Sequence, residues 1–160
     1  MNTIKVQLVT PERSLLTEEV ASLVCPTEEG QITILPGHVP FIATLVSGEL
    51  IAKNEGQEDY NIHVAGGFVQ VKHSEEKVAG KNRSEIVILA DAAEHFYEID
   101  LDRAEEAKLE AEKILKEQTS SDEEYALAAM SLRRNLSRIN IARKHSHRKT
   151  RITSEGVFKQ

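Results

Sequence analysis

Glu85–Leu115 reads EIVILADAAEHFYEIDLDRAEEAKLEAEKIL, and its period changes partway along. Glu85–Ala90 is a β-branched run of the kind that fills a buried strand. From Asp100 onward Ala104, Ala107, Ala111, Ile114 and Leu115 fall at helical spacing, with Glu and Lys on the other side. The reading predicts strands before this stretch and helices after it.

Toward the amino terminus the runs are short and punctuated. Ile4, Val6 and Leu8 alternate with Lys5, Gln7 and Val9 before Pro11. Val20–Cys25 is closed by Pro26, Gln31–Leu35 by Pro36-Gly37, and Phe41–Val46 by Ser47-Gly48. Leu50 and Ala52, then Tyr60, Ile62 and Val64, then Phe68, Val69 and Val71 follow. Such spacing indicates an antiparallel sandwich or barrel. Gly66-Gly67 reads as a bulge or tight corner. His73–Ser84 is polar and aperiodic, and reads as a long hairpin loop.

Toward the carboxyl terminus, Asp102 with Glu105 fits a capping box, and Asp100 is an alternative N-cap. Gln118–Ser121 breaks the helix. Ser121 with Glu124 opens a second, whose stripe is Tyr125, Ala128, Ala129, Leu132, Leu136 and Ile139. Two helices joined by a few polar residues form an antiparallel hairpin. Its alanine-rich seam removes little apolar area from water, so the hairpin is weakly docked. The expected architecture is α+β: an antiparallel β-sandwich over 1–98, a two-helix hairpin over 99–143, and a basic tail over 144–160.

Composition narrows the function classes. The chain has 160 residues, with 20 Lys+Arg, 26 Asp+Glu and a net charge of −6. One cysteine, Cys25, allows no internal disulfide and no multi-cysteine zinc site. Met1–Leu16 lacks the apolar core of a signal peptide, and Ile32–Val46 is too short and too interrupted to span a membrane. Residues 133–160 hold nine Lys+Arg and one Asp+Glu, against an acidic body. A basic end on an acidic body suggests an acidic partner. A nucleic-acid-binding module is the alternative reading, but there is no stacking motif and only 4% aromatic content to support it.

No catalytic constellation stands out. There is no phosphate loop and no nucleophile beside a recognisable base. His38, His63, His73 and His95 are far apart in sequence and read as surface or turn residues.

Four motifs occur in one order: Ile34-Leu-Pro-Gly-His38-Val-Pro40, Gly66-Gly67-Phe68-Val-Gln-Val71, Val87-Ile-Leu-Ala-Asp-Ala-Ala-Glu94 and Ile99-Asp100-Leu-Asp-Arg103-Ala104. The ordered set, running from about Ile4 to Ala142, resembles the epsilon subunits of bacterial F-type ATP synthases. The resemblance implies a non-catalytic rotor subunit, peripheral on the cytoplasmic face of the bacterial inner membrane and held there through the complex. The implied partners are the gamma subunit and the c-subunit ring, with the alpha and beta subunits engaged in the inhibited state and no nucleic acid.

The resemblance assigns Glu29, Gln31 and His38 to the rotor contact. The family often has a carboxylate where Gln31 stands and Gly where Thr33 stands, so Glu28 or Glu29 would supply the charge. Taken alone, this acidic loop reads as a solvated hairpin tip. In the same resemblance the hairpin brakes ATP hydrolysis, with Arg133, Arg134, Arg138 and Arg143 as its contacts. Taken alone, those arginines read as a solvated helix face.

No cofactor is required, but ATP is implied as a regulatory ligand. The residues that match are Glu94, Ile99, Asp100, Arg103, Ala104, Arg134 and Arg138. Arg134 and Arg138 lie one helical turn apart, as a triphosphate clamp needs. Glu94 and Asp100, with backbone groups at Ile99 and Ala104, would read adenine and ribose. The alternative is that Asp100 only caps its helix and Arg103 pairs with Glu106.

Overall fold

The computed structural model describes residues 3–78, 81–117 and 121–146, with backbone alone at 74–78 and 81–83. The chain divides between Glu94 and His95 into two compact units.

The first unit carries β1 (Ile4–Val9), β2 (Ser14–Val20), β3 (Ser22–Thr27), β4 (Gly30–Ile34), β5 (Phe41–Lys53), β6 (Tyr60–Val78), β7 (Lys81–Ala90) and β8 (Ala93–His95). The sheet order is β2-β1-β7-β6-β5-β3-β4, with β8 on β6. Leu16 of β2, Leu23 of β3, Ile34 of β4 and Ile88 of β7 share one core. Strands from both ends of the sheet thus meet over a common interior, as a sheet folded on itself requires. The alternation along β1 explains its side: Ile4, Val6 and Leu8 are buried, and Lys5 between them is exposed.

Several sequence expectations are corrected here. The pairing is not wholly antiparallel, because β1 and β7 run parallel, Val6 opposite Ile86. The run at Val20–Cys25 is two strands parted at Ala21, and β2 went unread because Thr17, Glu18 and Glu19 are all exposed on an edge strand, which breaks the apolar alternation between Leu16 and Val20. Pro26 does not end β3. It sits where the register to β5 shifts between Val24 and Thr27, a place where a ladder N–H is not needed.

Ser47-Gly48 does not end a strand either, since β5 continues through it. A Cβ at Gly48 would stand 2.7 Å from the Pro26 Cβ, so this glycine makes room for a neighbouring ring. Within the expected loop His73–Ser84, residues 73–78 and 81–84 belong to the ribbon of β6 and β7, with His73 opposite Ser84 and Lys77 opposite Asn82, and 79–80 lie outside the described residues. Alternating hydrophobicity reports one-sided burial, and a ribbon that is polar at both alternations gives no such signal.

At Gly67 the expected corner has a steric cause. Its φ is +125°, and a Cβ there would lie 2.1 Å from the Leu89 carbonyl oxygen. The backbones of β6 and β7 approach closely because nothing stands between them.

The second unit carries a 3-10 turn (Phe96–Glu98), α1 (Leu101–Lys116) and α2 (Asp122–Lys144). Asp100 caps α1, accepting the Arg103 N–H at 3.1 Å, so the Asp102–Glu105 box is not the cap. Ser121 and Glu124 do form the reciprocal box expected of them. Arg143 at the end of α2 pairs with Glu105 near the start of α1 at 2.7 Å, which makes the hairpin antiparallel. Phe96, Ile99, Ile141 and Ala142 form an apolar cluster in this unit.

The seam of α2 keeps only part of the expected stripe, Ala128 and Ile139 with Leu132 half-buried. Ala128, Asn135, Ile139 and Ala142 are buried, whereas Tyr125, Ala129 and Leu136 are exposed. Ala128, Asn135 and Ala142 repeat every seven residues, the period of packed helices, and a polar residue at the middle position hid it. Of the expected tail, residues 147–160 lie outside the described part.

Candidate functional site

Two groups of residues carry the expected function, one in each unit, with Glu94 at the end of the first. In the first unit, the turn between β3 and β4 presents Glu28 and Glu29. The segment after β4 presents His38, whose Nδ1 lies 2.9 Å from the Val39 carbonyl and whose ring centroid lies 5.0 Å from that of Phe41. A cavity of about 460 Å³ is lined by Glu28, Glu29, Ile32, His38, Phe41 and Ile42, among others. The fold thus brings Glu29 and His38 together. Gln31 is exposed on β4, opposite Pro26, and does not line this cavity. The cavity pairs an acidic rim with an apolar wall, a combination that fits a cationic side chain on an aliphatic stem.

Beside it, Ile42, Phe68 and Leu89 are 68%, 56% and 57% exposed on the adjacent strands β5, β6 and β7. Phe68 and Leu89 are directly opposed in the ladder. Large apolar side chains clustered on an outer sheet face mark an interaction surface.

Sequence reasoning missed Ser84. Its side chain is buried, and its Oγ accepts the Gly37 N–H at 2.9 Å, pinning the turn that leads to His38. A serine in a polar stretch gave no signal, because the partner lies far away in sequence.

His63 is also corrected. It is 2% exposed, not a surface residue. Its Nδ1 stands 3.4 Å from Glu94 Oε1, and its Nε2 stands 3.3 Å from Ser47 Oγ. A hydroxyl, an imidazole and a carboxylate therefore form a chain that the sequence did not reveal. The Cys25 thiol is buried too, and desolvation pushes it up to about 12 from 9.0, so it stays protonated and unreactive.

In the second unit, Ile99 is core, fully buried with Phe96 and Ile141. Asp100 uses its carboxylate on the helix cap, and the Ala104 N–H closes the first turn on the Asp100 carbonyl at 3.0 Å. Arg103, Arg133 and Arg134 are exposed. Arg138 is half-buried, and its Nη1 donates to Asn135 Oδ1 at 3.4 Å. Arg143 is committed to Glu105.

With the register fixed by that pair, Arg138 lies about 7 Å and Arg134 about 13 Å back along α2, from the rise per residue. The cations form a row along one helix, and Arg134 and Arg138 stand on one face. At the other end of α2, hydrogen bonds from Ser121 hold the Glu124 carboxyl below its ordinary value, the backbone N–H foremost.

Among the described residues, no group of three or more His, Cys, Asp or Glu side chains is placed to hold a metal ion. No described helix is long and apolar enough to cross a membrane.

Comparison with known proteins follows these units. Residues 3–96 match the family model of the ATP synthase delta/epsilon chain beta-sandwich domain, and residues 98–143 match that of its long alpha-helix domain. An ATP synthase epsilon chain of Dehalococcoides mccartyi is 40% identical over 144 residues, covering 90% of this chain and 95% of that one. The epsilon chain of Herpetosiphon aurantiacus is 39% identical, covering 91% and 98%. That of Bacillus pumilus is 35% identical, covering 90% and 100%. Among solved structures, a chain in the Euglena gracilis mitochondrial ATP synthase, a complex of OSCP, F1 and c-ring, superposes with a TM-score of 0.70 at 22% identity. That match covers 86% of this chain and 79% of the other, and shows likeness of fold.

Proposed function

The chain belongs to the ATP synthase delta/epsilon family, and from that premise we propose that it is a non-catalytic central-stalk subunit that couples rotation of the c ring to the catalytic head and brakes ATP hydrolysis through its helical hairpin. The observation that carries the reading is the ordered match of both family domains across residues 3–143. A solved structure of the Tetrahymena thermophila mitochondrial ATP synthase central stalk and c-ring shares the fold, with a TM-score of 0.55.

The sandwich carries the docking. The apolar row Ile42, Phe68 and Leu89 fits the gamma subunit, because it offers a flat dry face to another folded protein. The cavity of Glu28, Glu29 and His38 fits a basic loop of the c ring by charge. Membrane association runs through these partners, on the cytoplasmic face of a bacterial inner membrane, since no described helix could span it.

The hairpin carries the brake. Arg133, Arg134 and Arg138 would meet acidic surfaces of the alpha and beta subunits, while the alanine-rich seam allows the hairpin to change partners. ATP is a regulatory ligand in this reading. Arg134 and Arg138 would take the triphosphate, Arg103 would add a cation, and Glu94 would read the adenine amine. Asp100, Ile99 and Ala104 shape the helix start beside Arg103.

The test is ATP hydrolysis by the reconstituted complex, with the full chain and with a chain ending at Ile99. A rise of several-fold with the short chain supports a brake. Unchanged hydrolysis in an assembled complex overturns it and leaves a coupling part. Failure of the full chain to join the complex overturns the stalk reading.

A further inference from the structure

The hairpin of the second unit has a groove on one flank, at the end where α1 and α2 join. A cavity of about 470 Å³ lies there, lined by Glu110, Ala111, Ile114 and Glu117 of α1 and by Leu127 and Ala128 of α2, among others. Its floor is apolar: Leu127 is 61% exposed and Ile114 is half-buried, beside the two small alanines. Its rim is acidic. Glu110 and Glu117 are exposed on the α1 side and Glu124 on the α2 side. The hydrogen bonds from Ser121 favour the ionised form of Glu124. Glu106, exposed one turn before Glu110, carries the acidic edge further along α1.

An apolar floor with an acidic rim suits a peptide whose large apolar side chains are flanked by cations. The chain carries such a peptide itself. Residues 147–160 lie outside the described residues. They hold Arg148, Lys149, Arg151 and Lys159 against one acid, Glu155, and their large apolar side chains are Ile152, Val157 and Phe158. The match to the long alpha-helix domain of the family stops at residue 143, so this segment lies outside the part shared with that model. Length permits the return. Lys144 stands about 26 Å beyond Leu127 along α2, at the rise of a helix, and an extended chain covers that in about eight residues. Val157 and Phe158 therefore reach the cavity with enough chain left to turn back.

We propose that the groove between Ile114 and Leu127 is the docking surface for the chain's own carboxyl-terminal segment, with Val157 and Phe158 on the apolar floor and the Arg and Lys side chains along the edge of Glu106, Glu110 and Glu117. Tethering gives the segment an effective concentration on the order of mM, so a weak contact suffices. Seated there, it touches both helices and clips the joined end of an alanine-rich seam. The docking needs neither nucleotide nor another subunit, so its failure would leave the stalk reading untouched.

The test places a nitroxide on the full chain at Gln160→Cys and reads the magnetic resonance signals of the hairpin. Cys25 is buried and protonated, so the label goes to the new thiol alone. The signals of Ile114, Leu127 and Ala128 should broaden, and those of Ile99 and Ile141, clustered at the other end of the hairpin, should not. Phe158→Ser in the labelled chain should abolish the broadening. Glu110→Lys and high salt should each reduce it, because both weaken the pairing of rim and segment. No broadening, equal broadening at both ends, or broadening that survives Phe158→Ser overturns the proposal. Mixing nitroxide-bearing chains with isotope-enriched chains that carry no nitroxide shows whose segment is bound. Signals that stay sharp in the mixture support docking within one molecule. Signals that broaden there place a second copy's segment in the groove and overturn the assignment.

Discussion

Ser84 Oγ accepts the backbone N–H of Gly37 at 2.9 Å, joining β7 to a turn 47 residues earlier in the chain. The turn has one other described backbone tie, from the His38 N–H to the Leu35 carbonyl at 3.1 Å. Ser84 is 1% exposed, whereas Gly37 is exposed. Ser84→Ala therefore leaves an amide that water can reach, and the expected loss is about 1 kcal/mol, that of an ordinary intramolecular hydrogen bond. The sharper readout is local. Hydrogen exchange at the Gly37 amide should accelerate while exchange at Val69 and Ile88 in the core does not. Unchanged exchange at Gly37 would show that the turn holds itself.

Gly67→Ala should be far more harmful than its size suggests. The new Cβ would lie 2.1 Å from Leu89 O and 2.8 Å from Ala90 Cα, both backbone atoms that cannot step aside. The position also has φ of +125°. We expect a loss of at least about 3 kcal/mol, from strain and overpacking together. Gly56 is the control. It has φ of +75° but nothing within 4 Å, so Gly56→Ala should lose only about 1–2 kcal/mol. Urea midpoints for the two variants measure the difference, and equal midpoints would refute the steric account.

These two glycines show where sequence reading stops. Gly66-Gly67 was legible as a special corner, but not that the reason is a strand's backbone lying against it. The strand faces were legible at Ile4, Val6 and Leu8, because one-sided burial writes itself as alternation. Pro26 and Gly48 misled, since each reads alone as a stop and they are in fact a matched pair, ring against missing side chain. The Ser121–Glu124 box was legible because both halves lie three residues apart. Ser47, His63 and Glu94 were not, because the contacts join three separate strands, and no local pattern records which strands become neighbours.

Cys25 should respond to pH only through unfolding. Burial raises its thiol from 9.0 to about 12, so the folded chain keeps a proton that the unfolded chain releases above about pH 9. Stability from this group is present in full below pH 9 and falls as pH rises toward 12, because the unfolded state then binds fewer protons. Thiol labelling at pH 8 should be slow in the native protein and fast in denaturant. Cys25→Ala should flatten the alkaline loss of stability. Rapid native labelling would contradict the burial.

Asn135 is the polar residue in an otherwise alanine-rich and aliphatic helix seam. It is 5% exposed, and its side-chain amide donates to the Ser131 carbonyl at 2.9 Å and the Ser131 Oγ at 3.3 Å, both on its own helix. Nothing described on α1 accepts from it, so the amide is satisfied without binding the helices together. Replacing it with leucine removes no partner of α1, leaves the Ser131 carbonyl in its ordinary helical bond, gives up the acceptor that Arg138 Nη1 meets at 3.4 Å, and adds apolar area to the seam. Burying that area should stabilise the hairpin by about 1–2 kcal/mol, on the scale of one side chain removed from water. Asn135→Ala, which adds no such area, should change stability little. Thermal unfolding of the two variants checks this, and a leucine variant less stable than the natural protein would mean that the site is too tight to accept it. The same variant bears on the brake. If the hairpin must part to reach the catalytic head, tightening its seam should raise ATP hydrolysis by the assembled complex. If it acts while closed, the leucine variant should inhibit as the natural chain does.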